Sequence, residues 1–159
     1  KRWVLKNPSH LFALDVLMAT YPDALVIQCH RPPETIMASM CSLSQHTTAG
    51  WSNSFVGDTI GADSLETWSR GLERFTTVRA QHDPAQFCDV DYFELIADPI
   101  KTLENIYDHF GIDMTEQARA AIVRTDEQSK QGPRAPKHSY SLADYGLTAD
   151  QVKERFRGL

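Results

Sequence analysis

The stretch Leu-Val-Ile-Gln-Cys-His-Arg-Pro-Pro-Glu-Thr-Ile-Met-Ala-Ser-Met, residues 25–40, constrains the fold more than any other part of the chain. Ala24 to Cys29 is an apolar run interrupted only by Gln28, as expected for a strand covered on both faces of a parallel sheet. The run ends in Arg31, and Pro33 suits the first position of a helix that carries Ser39 two turns in. A buried strand that ends in a cation and meets a helix N-terminus forms a site for an anion. The helix offers unpaired N–H groups and the positive end of its dipole, Arg31 offers a planar donor fork, and Ser39 offers a hydroxyl. A phosphate monoester fits that chemistry.

The rest of the chain supports an alternation of strands and helices. Trp3 to Leu5 reads as a short strand, Lys6-Asn7-Pro8 as a turn, and about Ser9 or His10 to Tyr21 as a helix burying Leu11, Leu14, Val16, Leu17 and Met18. In the helix after Pro33, Ile36, Met37, Met40 and Leu43 make a core-facing stripe. From Ser44 to Ala62 the periodicity fails and a loop or lid is expected, with Trp51 and Phe55 its large apolar groups. Asp63-Ser64 can cap a long helix with Leu65, Trp68, Leu72, Phe75 and Val78 inward, which Asp83-Pro84 breaks.

Phe87 to Tyr92 returns to a strand, Pro99 opens a helix with Leu103, Ile106, Tyr107 and Phe110 inward, and Gly111 stops it. A helix over 115–124 comes next, then a basic loop over 125–139, and Thr148 with Gln151 forms a capping box for the last helix. This rhythm predicts a three-layer α/β fold on a parallel sheet.

Composition narrows the function. A single-domain chain of 159 residues with 42% hydrophobic content has material for one core. Net charge of −5 and a pI near 5.6 argue against a nucleic-acid surface, which needs a concentrated excess of Lys and Arg. Cys29, Cys41 and Cys88 form no Cys-x-x-Cys pair and lie in apolar surroundings, so buried free thiols in a reducing, cytoplasmic compartment are expected. The histidines beyond His10 are far apart, show no pairing at i and i+4, and are joined by no Cys pair, so no metal site is expected. No apolar stretch nears the ~20 residues that cross a bilayer. The chain starts with Lys1-Arg2-Trp3, inside what reads as a strand, and is expected to be part of a longer protein.

A Gly-rich phosphate loop ending in Gly-Lys-Ser/Thr is absent, since Gly57 and Gly61 lack the following Lys. The spacing of Arg31 and Ser39, eight residues apart, instead resembles that of sulfotransferases that use 3′-phosphoadenosine 5′-phosphosulfate (PAPS). These hold the cofactor's 3′-phosphate with an arginine ending a strand and a serine eight residues later. The resemblance continues in Trp3-Val4-Leu5-Lys6-Asn7-Pro8-Ser9-His10, in Asp89-Val90-Asp91-Tyr92-Phe93-Glu94-Leu95, in Asp98-Pro99, in Ile106-Tyr107-Asp108-His109-Phe110-Gly111 and in His138-Ser139-Tyr140 to Leu147. Taken together, these look like the C-terminal portion, residues 1–159, of one bacterial-type sulfotransferase domain of P-loop-like fold, lacking the 5′-phosphosulfate loop.

The resemblance implies specific roles. Arg31 and Ser39 would hold the 3′-phosphate, Tyr92 would lie beside the adenine with Glu94 where the family usually has Asp, and Arg134 or Lys137 would belong to the basic loop closing over the phosphate. Lys6 would neutralise charge on the bridging oxygen. In the family's cytosolic branch the base is a histidine two residues beyond that lysine. Here that position is Pro8, so His10 or a carboxylate from elsewhere is the candidate base. The acceptor would be a small molecule, glycan or lipid bearing a hydroxyl or amine, with Trp51 and Phe55 placed to meet an apolar one. Two readings compete: a P-loop-type phosphoryl-transfer enzyme, which shares the sheet topology, and an interaction domain that keeps the fold without the chemistry.

Overall fold

The computed structural model describes residues 3–131 and 140–159. In chain order they form a 3-10 turn (Pro8–Phe12), α1 (Leu14–Thr20), β1 (Val26–His30), α2 (Pro33–Thr48), α3 (Asp58–Arg79), a 3-10 turn (Pro84–Gln86), β2 (Phe87–Asp91), α4 (Tyr92–Ala97), α5 (Pro99–His109), α6 (Glu116–Gln131), a 3-10 turn (Leu142–Tyr145) and α7 (Ala149–Arg155). The class is α/β with a parallel sheet, as the alternation predicts. Among the described residues that sheet has two strands, β1 and β2, paired in parallel with Val26 opposite Phe87 and His30 opposite Asp91. The described residues fall in two compact units, one drawn from 3–24, 32–82 and 140–159, the other from 25–31 and 83–131.

The first unit is helical. Its core joins Met37 and Cys41 of α2, Ile60 of α3, Tyr145, Leu147 and Val152 of α7, with Phe55, Leu65 and Trp68 packed against it. The stripe expected on α2 is rotated. Met37, Ala38, Cys41 and Ser42 are buried, whereas Ile36 and Leu43 are exposed. The close approach of α3 to the Leu142–Tyr145 turn explains Gly61, where a Cβ would stand 1.9 Å from the Tyr145 carbonyl oxygen. The Thr148–Gln151 capping box is present at α7.

Three boundaries differ from the sequence reading in this unit. The helix expected from about Ser9 to Tyr21 is a 3-10 turn followed by α1, broken at Ala13, and Val16 is exposed. Helix α2 runs on to Thr48 and α3 begins at Asp58, so the irregular stretch shrinks to 49–57. The hydroxyls at its end bond back within the helix: Thr47 Oγ1 donates to the Leu43 carbonyl at 3.0 Å and Thr48 Oγ1 to that of Ser44 at 2.8 Å. Trp3 to Leu5 is not a strand. No ladder partner faces it among the described residues, and all three side chains are exposed.

The second unit holds the sheet. Asp83 caps the turn before β2, Asp91 caps α4, Asp98 caps α5 and Gly111, at φ +60°, comes directly after α5 and its C-cap Phe110. Ile106 of α5 covers Cys88 and Val90, with Leu95, Leu103 and Phe110 around them. Residues paired in a parallel ladder point to the same face, so Ile27 and Cys29, partners of Cys88 and Val90, belong to that face too. They remain exposed, because α5 covers β2 and leaves β1 open. The expectations that this strand is buried on both faces, and that Cys29 is a buried thiol, are therefore corrected; Cys41 and Cys88 are buried. Helix α6 extends through Gln131, replacing the first part of the expected basic loop, with Lys130 Nζ 2.6 Å from Asp126 Oδ2 one turn back.

Candidate functional site

The two parallel strands end together. Because His30 pairs with Asp91, the next residue of each strand, Arg31 and Tyr92, lies at the same carboxyl edge, where ligands of open parallel sheets bind. Asp91 fixes the start of the next helix. Its Oδ1 accepts from the backbone N–H groups of Phe93 and Glu94 at 2.7 and 3.1 Å, so α4 starts at Tyr92 and the expected strand ends one residue earlier.

That helix start sets the Tyr92 ring under Arg31, whose Cζ lies 4.6 Å from the ring centroid. Such a stack contributes ~0.5–1 kcal/mol at an exposed site and about 2 or more when desolvated. The Arg31 Nε is buried and has no hydrogen-bond partner among the described residues. A buried guanidinium donor without an acceptor is costly, which is the condition an anionic ligand relieves. A phosphate monoester therefore fits this edge of the sheet.

The N-terminus of α2 gives less than the sequence implies. Pro33 has no N–H, the N–H groups of Thr35 and Ile36 donate to the Pro32 carbonyl at 3.0 and 3.2 Å, and Glu34 adds a negative charge in the first turn. Of the two features expected to attract an anion, the first turn of α2 has several of its own donors satisfied, whereas Arg31 keeps one that is unpartnered among the described residues. Beside it, His30 Nε2 and Asp89 Oδ1 are 2.6 Å apart across the two strands, both half exposed. Cys29 has its thiol pKa pushed up by partial burial and then by the charge of Asp91.

The remaining candidates are dispersed over the helical unit. Ser39 is half-buried on α2, beside the buried pair Met37 and Ala38. Lys6 is exposed in a segment that is neither strand nor helix, which corrects its expected place just past a strand. His10 is half-buried on the first 3-10 turn, which Asn7 caps by accepting from the Ser9 N–H at 2.9 Å. Trp51 is 91% exposed, whereas Phe55 packs on the core of the helical unit, so of the two only Trp51 is free to meet an apolar molecule. Arg134 and Lys137 lie outside the described residues. Among the described residues, no group of three or more His, Cys, Asp or Glu side chains could hold a metal ion, and no helix is long and apolar enough to cross a membrane.

Sequence reasoning found Arg31 and Tyr92 separately but missed their contact. The signal lies in the pairing of the strands: each residue comes directly after its strand, and the register brings the two together.

Comparison with known proteins gives a consistent result. A model described as the sulfotransferase family matches residues 1–116. Two curated relatives, the omega-hydroxy-beta-dihydromenaquinone-9 sulfotransferases Stf3 of Mycobacterium bovis and Mycobacterium tuberculosis, are each 28% identical over 114 residues, 70% of this chain and 29% of theirs. Among solved structures, sulfotransferase STF1 from M. tuberculosis H37Rv is similar at 65% identity and a TM-score of 0.86 over 100% of this chain and 40% of that one. Sulfotransferase STF9 from Mycobacterium avium is similar at 26% identity and a TM-score of 0.84, over 97% of this chain and 40% of that one. The matched residues of the chain thus span less than a third of the curated relatives' length.

Proposed function

We propose, on the premise that this chain belongs to the sulfotransferase family, that the protein transfers the sulfuryl group of PAPS to a hydroxyl or amine. The observation that carries the reading is the buried, partnerless Nε of Arg31 at the carboxyl end of a parallel strand. In this reading Arg31 and Ser39 hold the 3′-phosphate and Tyr92 lies near the adenine. Arg134 and Lys137, outside the described residues, are further candidates to meet the phosphate. Lys6 offsets charge on the bridging oxygen of the leaving phosphate, and His10 is the candidate that takes the acceptor's proton. The oxygen or nitrogen of the acceptor forms the new bond to sulfur as the sulfur–oxygen bond to the phosphate breaks.

The relatives named for a hydroxylated menaquinone favour an apolar, lipid-like alcohol among the possible acceptors. The 91% exposed Trp51 supplies an aromatic surface suited to such a molecule. Three free thiols, Cys29, Cys41 and Cys88, suit a reducing cytoplasmic compartment.

Calorimetric titration with adenosine 3′,5′-bisphosphate and with AMP tests the reading. A charge-assisted hydrogen bond contributes roughly 1.5–3 kcal/mol, so the bisphosphate should bind about ten- to a hundredfold more tightly. Arg31→Ala should abolish the preference, and Arg31→Lys should restore only part of it because the planar fork is lost. Equal affinity of the unmodified protein for the two nucleotides would overturn the proposal and favour a phosphoryl-transfer enzyme if ATP bound instead.

A further inference from the structure

The stacking of Arg31 on Tyr92 has a consequence beyond contact with a nucleobase. An arginine side chain is long, with many rotamers, and a donor fork recognises a phosphate only when its plane is fixed. Three features hold the side chain in place here. The β1–β2 register sets Arg31 beside Tyr92, the Asp91 cap holds Tyr92 as the first residue of α4, and the ring lies 4.6 Å from Arg31 Cζ. The ring holds the guanidinium carbon over its face, which limits where the N–H groups can go. The Nε among them is buried and has no partner among the described residues. The ring face occupied by Arg31 is closed to any other stacking partner.

We infer that Tyr92 is a positioning residue for the anion site: it acts through Arg31, holding the guanidinium plane so that its edge meets the 3′-phosphate. The inference rests on the assignment of Arg31 to that phosphate. It differs from an adenine contact in what it predicts, because the part of the effect that acts through Arg31 falls only on ligands that Arg31 touches.

The test is a double-mutant cycle in the otherwise intact protein, with Tyr92→Leu, Arg31→Ala and both together, each titrated with adenosine 3′,5′-bisphosphate and with AMP. Tyr92→Leu should weaken the bisphosphate about five- to tenfold more than it weakens AMP, and that difference should vanish once Arg31 is alanine. Tyr92→Phe, which keeps the ring, should keep the parent's preference for the bisphosphate over AMP. Equal losses for both nucleotides that persist in the Arg31→Ala background would overturn the inference and assign Tyr92 to the base alone, leaving the reading of Arg31 intact. An Arg31→Ala protein that still prefers the bisphosphate would instead overturn the assignment of Arg31, and the inference with it.

A ligand-free readout stands apart from both: the Arg31 side-chain resonances should carry an upfield ring-current shift, retained in Tyr92→Phe and lost in Tyr92→Leu. Its absence from the unmodified protein would overturn the stacking itself.

Discussion

Asp91 performs two separable tasks, and a pair of substitutions tells them apart. Its carboxylate caps α4 by accepting two backbone N–H groups, and its charge raises the pKa of Cys29 as the second influence after partial burial of the sulfur. Asp91→Ala removes both. Losing an N-cap acceptor costs about 0.5–2 kcal/mol, and two bonds at 2.7 and 3.1 Å place this cap near the middle, at ~1–1.5 kcal/mol. For a chain of this size each kcal/mol lowers Tm by roughly 2–4 °C, so a drop of about 2–6 °C is expected. Asp91→Asn keeps an acceptor and loses only the charge at an exposed N-terminus, worth about 0.3 kcal/mol for so short a helix.

Both variants should lower the Cys29 pKa part of the way, since burial remains. Thermal unfolding measures the first effect. The pH dependence of alkylation measures the second, with the buried Cys41 and Cys88 silent in the native protein. An Asp91→Asn protein as unstable as Asp91→Ala, or with an unchanged alkylation profile, would refute the division of roles.

Two further predictions concern the helical unit. Gly61→Ala should destabilise by about 3 kcal/mol, the upper end for overpacking, because the new methyl meets a backbone carbonyl 1.9 Å away that has no rotamer to yield; a Tm within about a degree of the parent would contradict the approach of α3 to the Tyr145 turn. At Asp15, burial pulls the pKa up, but the Val16 backbone N–H and Arg74, whose Nη2 is 2.6 Å from Oδ2, pull harder and leave it below its usual 3.8. A lowered folded pKa contributes stability that is present above pH 3.8 and lost as pH falls through the folded value. Denaturant titrations should therefore show Asp15→Asn less stable than the parent at pH 5 and converging with it towards pH 2, and a gap that stays constant would overturn the linkage.

What was legible in the sequence is what local chemistry decides. Asp98 followed by Pro99, Gly111 at the end of α5, and Thr148 with Gln151 announce helix ends because the capping atoms lie within a few residues of the N–H or C=O groups they serve. Local chemistry also misled. The Ser- and Thr-rich stretch at 44–48 has the composition of a loop, yet the hydroxyls of Thr47 and Thr48 are satisfied by carbonyls one turn back and α2 continues. At 125–131 the composition of a basic loop concealed the pairing of Lys130 with Asp126 at one helical turn. The phase of α2 was misread for a different reason. Its buried side uses Cys41 and Ser42 as well as Met37, and small side chains are what a crowded contact selects, so hydrophobicity alone points to the wrong side.

The candidate site divides along the same line. Arg31 is legible because a cation at the end of an apolar strand is unusual wherever the rest of the chain goes. Its contact with Tyr92 is not, since 61 residues separate the two and only the alignment of β1 with β2 decides that they meet. A slip of one residue in a ladder turns each side chain to the opposite face, so pairing His30 with any neighbour of Asp91 would take the ring from beneath the guanidinium. The pairing is reinforced where it can be checked: Cys88 and Val90 point towards Ile106 only in this phase, and the same phase ends β2 at Asp91, whose carboxylate is then free to cap α4. The packing that buries β2 therefore also supports the register on which the contact of Arg31 with Tyr92 depends, and a defect at Ile106 would reach that contact through β2.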